Sequence, residues 1–283
     1  MEPLANLNGQ IMPLAEVKVS ALDRGFLFGD AVYEGIQLRD GRIRFADDHF
    51  NRLRRSLGEL KIEGVDLARL RRRVEETVAA GGIRDGLIYI QITRGVGPRR
   101  RHAPQPKLVP TEFLFIEPMS QPYAAERSTG VAVITFPDLR WGRCDIKTVN
   151  LLGNVLAATA ARDRGAAEAV LIKADGTVTE CSHSSFFGVV GGMIRTYPKD
   201  PAILPGVTRG HVLELIRDLK LPLEERALRQ EELATASELF LTGTTAEVLP
   251  VVKLDDQIVG TGQPGPIALQ LQREFQRRWG EMR

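Results

Sequence analysis

Cysteine is almost missing from this chain, with only Cys144 and Cys181 among 283 residues. Two thiols cannot build a disulfide scaffold, and neither stands in a metal-ligand spacing, so both are expected to be free thiols in a reducing compartment. An imbalance of charge is missing as well. The 38 Lys and Arg nearly cancel the 36 Asp and Glu, and a net charge of +2 is too small to imply nucleic acid as a partner. No apolar run approaches the roughly 20 residues that a membrane-spanning helix needs. The opening "MEPLANLNGQIMPLAEVKVS" has no basic stretch followed by an apolar one, so no signal peptide is expected, and the expected location is cytoplasmic. Internal repeats and low-complexity tracts are also lacking. What remains is the make-up of an ordinary globular protein, 43% hydrophobic and 26% charged, long enough for two domains.

Strand and helix signals alternate along the chain in an α+β pattern. The turn Arg39–Arg42 between alternating apolar residues predicts a hairpin, as do the Asp-Gly pair in "EAVLIKADGTVTECS" and Gly191-Gly192 in "SSFFGVVGGMIRTYP". "DDHFNRLRRSLGELKI" predicts a helix with Phe50, Leu53, Leu57 and Leu60 on one stripe and Asp47 or Asp48 as its cap. "DLARLRRRVEETVAAGG" predicts a second helix closed by a glycine pair. "LIYIQITRG", "LVPTEFLFIEP" and "VAVITF" predict strands. "NLLGNVLAATAARDRG" predicts a helix with Leu152, Val155, Leu156, Thr159 and Ala160 on one face, ended by Gly165. The Pro- and Ser-containing stretch "EPMSQPYAAERSTG" marks a break. The expected organisation is a small α/β domain over 1–118, a linker over 119–128, and a larger domain over 129–283 built on an antiparallel sheet or barrel.

Several residues stand out for chemistry. Lys147 opens an apolar, small-residue segment and follows Asp145 by two positions, with Arg140 and Arg143 just upstream. A lysine at the edge of a core and near cations gives up its proton more readily, and its amine can then attack a carbonyl. A lysine snorkelling from a strand end is the plainer alternative. Glu180 alternates in phase with Val178, which aims a carboxylate inward if that face is buried. Three features suit a phosphate: "GVTR" at a helix start, the small hydroxyl turn "TGTT", and Arg52 as a bidentate guanidinium. Each such turn, taken alone, is common. Tyr33 in "DAVYEG" offers a phenol or simply packs. Arg99, Arg101 and His102 in "PRRRHAP" make a cationic loop suited to a carboxylate. Cys144 and Cys181 lie close in sequence to Lys147 and Glu180, which raises the expectation of sensitivity to thiol reagents, with small apolar filler as the alternative.

Taken in order, "RGFLFGDAVYEG", "HFNRLRRSL", "YIQITRGVGPRRRHAP", "RWGRCDIKTVNLLGNVLA", "DGTVTECSHSSFFG", "ILPGVTR" and "LFLTGTTAEVLPV" resemble the fold-type IV pyridoxal-phosphate enzymes. The resemblance runs from about Val17 to Val252 and is strongest to the D-amino-acid aminotransferases. It implies pyridoxal 5'-phosphate as cofactor, with the Lys147 amine forming a Schiff base to its aldehyde carbon and later acting as the proton-moving base. It implies that Glu180 faces the pyridine nitrogen, and that Arg52, Val207, Thr208 and Thr244 hold the phosphate. Leu204 then packs on the ring, and Tyr33 lines the substrate pocket. The implied reaction is transamination from a D-amino acid such as D-alanine or D-glutamate to a 2-oxo acid such as 2-oxoglutarate or pyruvate. The alternatives are a branched-chain L-amino-acid or dual-specificity transaminase, suggested by the glycine in "VYEGIQ", and then an aminodeoxychorismate lyase. For the substrate carboxylate, Arg99 with Arg101, Arg100 with His102, or a shifted His102 remain open. The resemblance also implies a homodimer, while cysteine spacing, net charge and the lack of a long apolar run lead to the expectation of no metal, no nucleic acid and no membrane.

Overall fold

The alternation of apolar residues read above becomes two sheets in the computed structural model, which describes residues 2–280. The chain divides into two compact units, Met1–Ser120 with Ile146–Asn150, and Gln121–Asp145 with Leu151–Arg283. The first unit takes back a short return of the chain, Ile146–Asn150, which the sequence alone assigns to the segment after 129.

The first unit holds strands β1 (Leu4–Leu7), β2 (Gln10–Pro13), β3 (Ala31–Arg39), β4 (Arg42–Ile43), β5 (Gly86–Thr93) and β6 (Thr111–Pro118). They form an antiparallel sheet in the order β2-β1-β6-β5-β3-β4. The β3–β4 hairpin turns on Asp40 and Gly41, both at positive φ (51° and 75°), as a tight two-residue turn requires. Three helices accompany the sheet: α1 (Arg24–Phe28), α2 (Ala46–Leu60) and α3 (Leu67–Gly81). Asp66 caps α3 by accepting from the amides of Ala68 and Arg69, each at 3.0 Å, and Gly82 ends it in the left-handed region. The expected Asp47 or Asp48 cap on α2 is not made. Phe45 occupies that position without a side-chain bond, and the two acids sit in the first turn, where the helix dipole favours them. Phe50, Leu53 and Leu57 of α2 and Leu70 and Val74 of α3 bury against Val32, Ile36, Leu38, Ile88 and Ile90.

The second unit holds β7 (Val131–Pro137), β8 (Glu168–Ile172), β9 (Val178–Cys181), β10 (Ser185–Val190), β11 (Met193–Thr196), β12 (Leu223–Glu224), β13 (Glu238–Gly243), β14 (Glu247–Leu254) and β15 (Gln257–Ile258). Its sheet runs β12-β11-β10-β13-β14-β7-β8-β9, with β15 on β14. The sheet is mixed rather than antiparallel throughout. β7 pairs in parallel with both β14 and β8, and helix α5 (Leu152–Asp163) is the crossover that carries the chain from β7 to β8. The remaining helices are α4 (Glu126–Thr129), α6 (Val207–Asp218), α7 (Gln230–Leu233) and α8 (Pro266–Phe275). Within 119–128, Arg127 is buried and donates to the carbonyls of Thr245 and Ala246, so that part of the segment is built into the second unit.

The apolar face that Leu152, Val155 and Leu156 share on α5 is turned outward. Leu152, Val155 and Leu156 are 80%, 54% and 54% exposed, while Ala157 and Ala161 are fully buried against Ile134, Ala169 and Leu171. Small side chains let the helix lie close on the sheet, and the bulkier residues are turned outward. Among the described residues no helix is long and apolar enough to cross a membrane, and no group of three or more His, Cys, Asp or Glu could hold a metal ion.

Candidate active site

In the first unit the returning segment lies along the start of β3. Thr148 bridges to Val32, and the Tyr33 amide donates to the Lys147 carbonyl at 2.9 Å. The Lys147 amide donates in turn to the hydroxyl of Ser56 on α2 at 3.2 Å. Asn150 donates to the Gly29 carbonyl at 3.0 Å and to the Thr148 hydroxyl at 2.9 Å. Ile146 plugs the core beneath. The backbone around Lys147 is thus fixed on both sides, and its Nζ stands 4.2 Å from the centre of the Tyr33 ring. An ammonium over an aromatic face is attracted by the ring's negative centre. Tyr33 stacks on Tyr89 at 5.7 Å, and burial, with Tyr33 adding to it, pushes the Tyr89 phenol up to about 12.

Beside this segment stands a buried ionic group that sequence reasoning missed. β3 alternates Val32, Glu34, Ile36 and Leu38 on its core face, so Glu34 is fully buried among aliphatics. Its carboxylate takes a two-pronged bond from Arg52, with Nε to Oε1 and Nη2 to Oε2 each at 2.8 Å. His49 Nδ1 lies 2.7 Å from Oε2. Burial on its own would raise the Glu34 carboxyl. Arg52, then His49, outweigh it and hold the group at about 2. His49 is pushed down, chiefly by burial and further by Arg52 and Lys147, and a neutral His49 donates from Nδ1 to the carboxylate. The signal was present in the sequence: a glutamate at an apolar position of a strand demands partners, and His49, Arg52 and Ser56 share the buried stripe of α2. The side chains of Arg99, Arg101 and His102 lie exposed in the loop between β5 and β6.

In the second unit Glu180 is buried on β9, the last strand in the sheet order, and its Oε1 accepts from the Leu204 amide at 3.0 Å and from Arg140 Nη1. Neither bond engages Oε2. Arg140 is held by Asp138 at 2.8 and 2.9 Å and by the Ala202 carbonyl at 3.1 Å. Burial pushes the Glu180 carboxyl up, and Arg140 offsets part of that rise. Val207 and Thr208 begin α6 behind Gly206, where no side chain caps the helix. A Cβ at Gly206 would meet the Ser185 hydroxyl at 2.9 Å, and one at Gly243 would meet the Ser184 hydroxyl at 3.2 Å. Ser185 pairs with Thr242, whose hydroxyl is buried and has no hydrogen-bond partner. Thr244 lies half-buried in the turn after β13. This corner is lined with small residues, hydroxyls and open helix amides, the donor set an oxyanion uses.

The expected thiol sensitivity is not supported by the environment of either cysteine. Burial pushes Cys144 up to about 11 despite Arg140, and pushes the fully buried Cys181 well above its ordinary value. Among other buried carboxylates, Glu168 accepts from the Ser182 hydroxyl at 3.2 Å and the His183 amide at 3.0 Å, fixing the turn after β9.

Comparison with known proteins follows the same residues. The model of the family described as "Amino-transferase class IV" matches residues 31–254. The chain is 41% identical over 273 residues to the D-alanine aminotransferase of Bacillus licheniformis, covering 95% of this chain and 94% of that one. It is 39% identical over 270 residues to that of Staphylococcus haemolyticus, covering 95% of each. In fold it is similar to the branched-chain amino acid aminotransferase of Escherichia coli, with a TM-score of 0.91 at 24% identity over 100% of this chain and 97% of that one. The branched-chain aminotransferase of Thermoproteus uzoniensis, solved with norvaline, gives 0.87 at 28% identity over 98% of this chain and 94% of that one. With its α+β sheets, its fold-type IV neighbours and a family match over most of its length, the chain belongs to the class IV amino-transferases.

Proposed function

We propose that this chain is a pyridoxal 5'-phosphate-dependent transaminase that moves an amino group from a D-amino acid, such as D-alanine or D-glutamate, to a 2-oxo acid, such as 2-oxoglutarate or pyruvate. One observation carries the reaction class: a lysine amine, Lys147, is held over Tyr33 by a segment fixed at three backbone positions. The D-alanine aminotransferases, similar over nearly their whole length, carry the choice of substrate.

The residues present fit the cofactor. The unpartnered Thr242 hydroxyl, together with the Ser184 and Ser185 hydroxyls that crowd against Gly243 and Gly206, suits a phosphate. In the second unit Val207, Thr208 and Thr244 would face that phosphate, and Leu204 would pack on the ring. Glu180 would meet the ring nitrogen through Oε2, with Arg140 favouring the ionised carboxylate. In the first unit Lys147 would hold the group through Nζ, and Arg52 would add a guanidinium kept rigid by Glu34. When bound, pyridoxal 5'-phosphate supplies an electron sink for charge developing at the substrate α-carbon. Lys147 Nζ takes the proton from that carbon, and a base fixed within reach is worth roughly 10²–10⁴ in rate. Tyr33 shapes the pocket beside it, and the cationic loop of Arg99, Arg101 and His102 meets the substrate carboxylate.

The same reading includes a homodimer acting in the cytoplasm. The outward Leu152, Val155 and Leu156 give a second copy an apolar face to cover, and both thiols are free. The test is an absorbance spectrum of purified protein with D-alanine or L-leucine. A visible band that is lost in Lys147→Ala and bleached by D-alanine alone is expected. Bleaching by L-leucine alone replaces the donor with a branched-chain L-amino acid, and no band after adding pyridoxal 5'-phosphate refutes the catalytic account.

A further inference from the structure

The cationic loop is not left to itself. Arg24, on α1, is almost fully buried, and its guanidinium reaches the loop backbone twice, with Nη1 donating to the Arg101 carbonyl at 2.6 Å and Nη2 to the His102 carbonyl at 2.7 Å. The third nitrogen, Nε, donates to Asp30 Oδ2 at 2.8 Å. Asp30 is shared: Arg94 binds it through Nε at 2.7 Å and Nη2 at 2.9 Å. Arg94 also donates to the carbonyls of Leu60 and Lys61 at the end of α2. The Phe28 ring lies under this arrangement, with the guanidinium carbons of Arg24 and Arg100 at 4.7 and 4.9 Å and the His102 ring at 5.5 Å.

Three adjacent arginines on an exposed loop, with His102 beside them, repel one another and hold many conformations. A carboxylate bound by such a loop must also order it, and that ordering weakens binding. Two bonds from one planar, buried and immobilised guanidinium remove most of that freedom in advance. We propose that Arg24 is a positioning residue for the substrate carboxylate: it clamps the Arg99–His102 loop through the Arg101 and His102 carbonyls, so that the loop's cations are presented ready to bind. This rests on the transaminase reading for the identity of the ligand, and on the structure alone for the clamp.

The test compares wild-type holoenzyme with Arg24→Gln, Arg24→Lys and Phe28→Leu. Asp30 keeps Arg94 in all three, so the carboxylate is not left buried and unpaired. The loop contains its own trypsin sites at Arg99, Arg100 and Arg101. Arg24→Gln is expected to be cut there about tenfold faster and to show a KM for 2-oxoglutarate raised about tenfold with kcat nearly unchanged, the effect of losing one charge-assisted anchor. Arg24→Lys keeps the charge but lacks the fork, and it is expected to stay loose. Phe28→Leu leaves the two carbonyl bonds in place and is expected to move cleavage far less. Cleavage at the wild-type rate, faster cleavage with KM unmoved, full recovery by lysine, or a fall in kcat with KM unchanged each overturns the proposal. A wild-type enzyme without transamination would fail the substrate reading instead. The clamp would still be decided by the cleavage rates and by the 2-oxoglutarate concentration that protects the loop, which is expected to rise about tenfold in Arg24→Gln.

Discussion

Replacing Glu34 by glutamine tests the buried ionic group on which Arg52 depends. Glu34 has no exposure, so solvent screening does not discount its interactions. A carboxyl that ordinarily titrates at 4.5 and is held at about 2 corresponds to roughly 3 kcal/mol of native-state stability. Removing one partner of a buried ion pair costs about 3–5 kcal/mol, so two independent routes agree. The sign follows from the direction of the shift. A depressed carboxyl contributes fully above its unfolded value of 4.5, and that contribution drains away as the pH falls from 4.5 to about 2. The assay is thermal unfolding of wild type and Glu34→Gln, followed by circular dichroism between pH 2 and pH 7. At neutral pH the variant should melt roughly 6–12 °C lower, since about 1 kcal/mol shifts the midpoint of a chain this size by 2–4 °C. The two melting curves should converge as the pH approaches 2. A gap that stays constant across the whole range would show that the lost stability is packing rather than charge, and would refute the account of Glu34.

The remaining predictions concern the thiols and α5. With its thiol at about 11, Cys144 should react with iodoacetamide at pH 8 at roughly one hundredth of the rate of an unperturbed cysteine, and labelling at the free-thiol rate, measured by mass spectrometry, contradicts the burial argument. Ala161→Leu should cost about 1–3 kcal/mol by overpacking the contact with Ile134 and Leu171, whereas Leu156→Gln on the outward face should leave the melting temperature of a single chain within about 1–2 °C. Equal losses from the two substitutions would mean that α5 is turned differently.

Turn chemistry carried three of the hairpins in the sequence. Asp40-Gly41, Asp175-Gly176 and Gly191-Gly192 each sit where two antiparallel strands meet, since few residues other than glycine and its polar substitutes accept that backbone. Lys147 stood out as a candidate because a lone amine in an apolar segment is unusual. Some of the misses share a cause, the use of hydrophobicity as the sign of a buried face. On α5 it selected Leu152, Val155 and Leu156, but closeness to the sheet was decided by alanines. On β3 the same habit overlooked Glu34, which is as buried as Val32 and Ile36, because its burial depends on Arg52 and His49 arriving from another element. The Asp138–Arg140–Glu180 group was hidden for the same reason: Arg140 and Glu180 are forty positions apart, and nothing local joins them. The parallel pairing of β7 with β14 and β8 depends on long-range topology that short turn signals cannot report.

The return of Ile146–Asn150 to the first unit has a genetic consequence. A gene cut at residue 120 would not encode a finished first unit, because the missing five residues supply a core plug in Ile146, a strand partner for Val32 in Thr148 and a latch on Gly29 in Asn150. The same five residues contain Lys147. Either half expressed alone would be incomplete, the amino-terminal one structurally and the carboxy-terminal one in the setting of its lysine. Two separate polypeptides could restore the first unit only if the second donated that segment. A recombination event at the obvious boundary therefore exchanges Lys147 along with the wrong half, and the two parts of this fold are inherited as one piece.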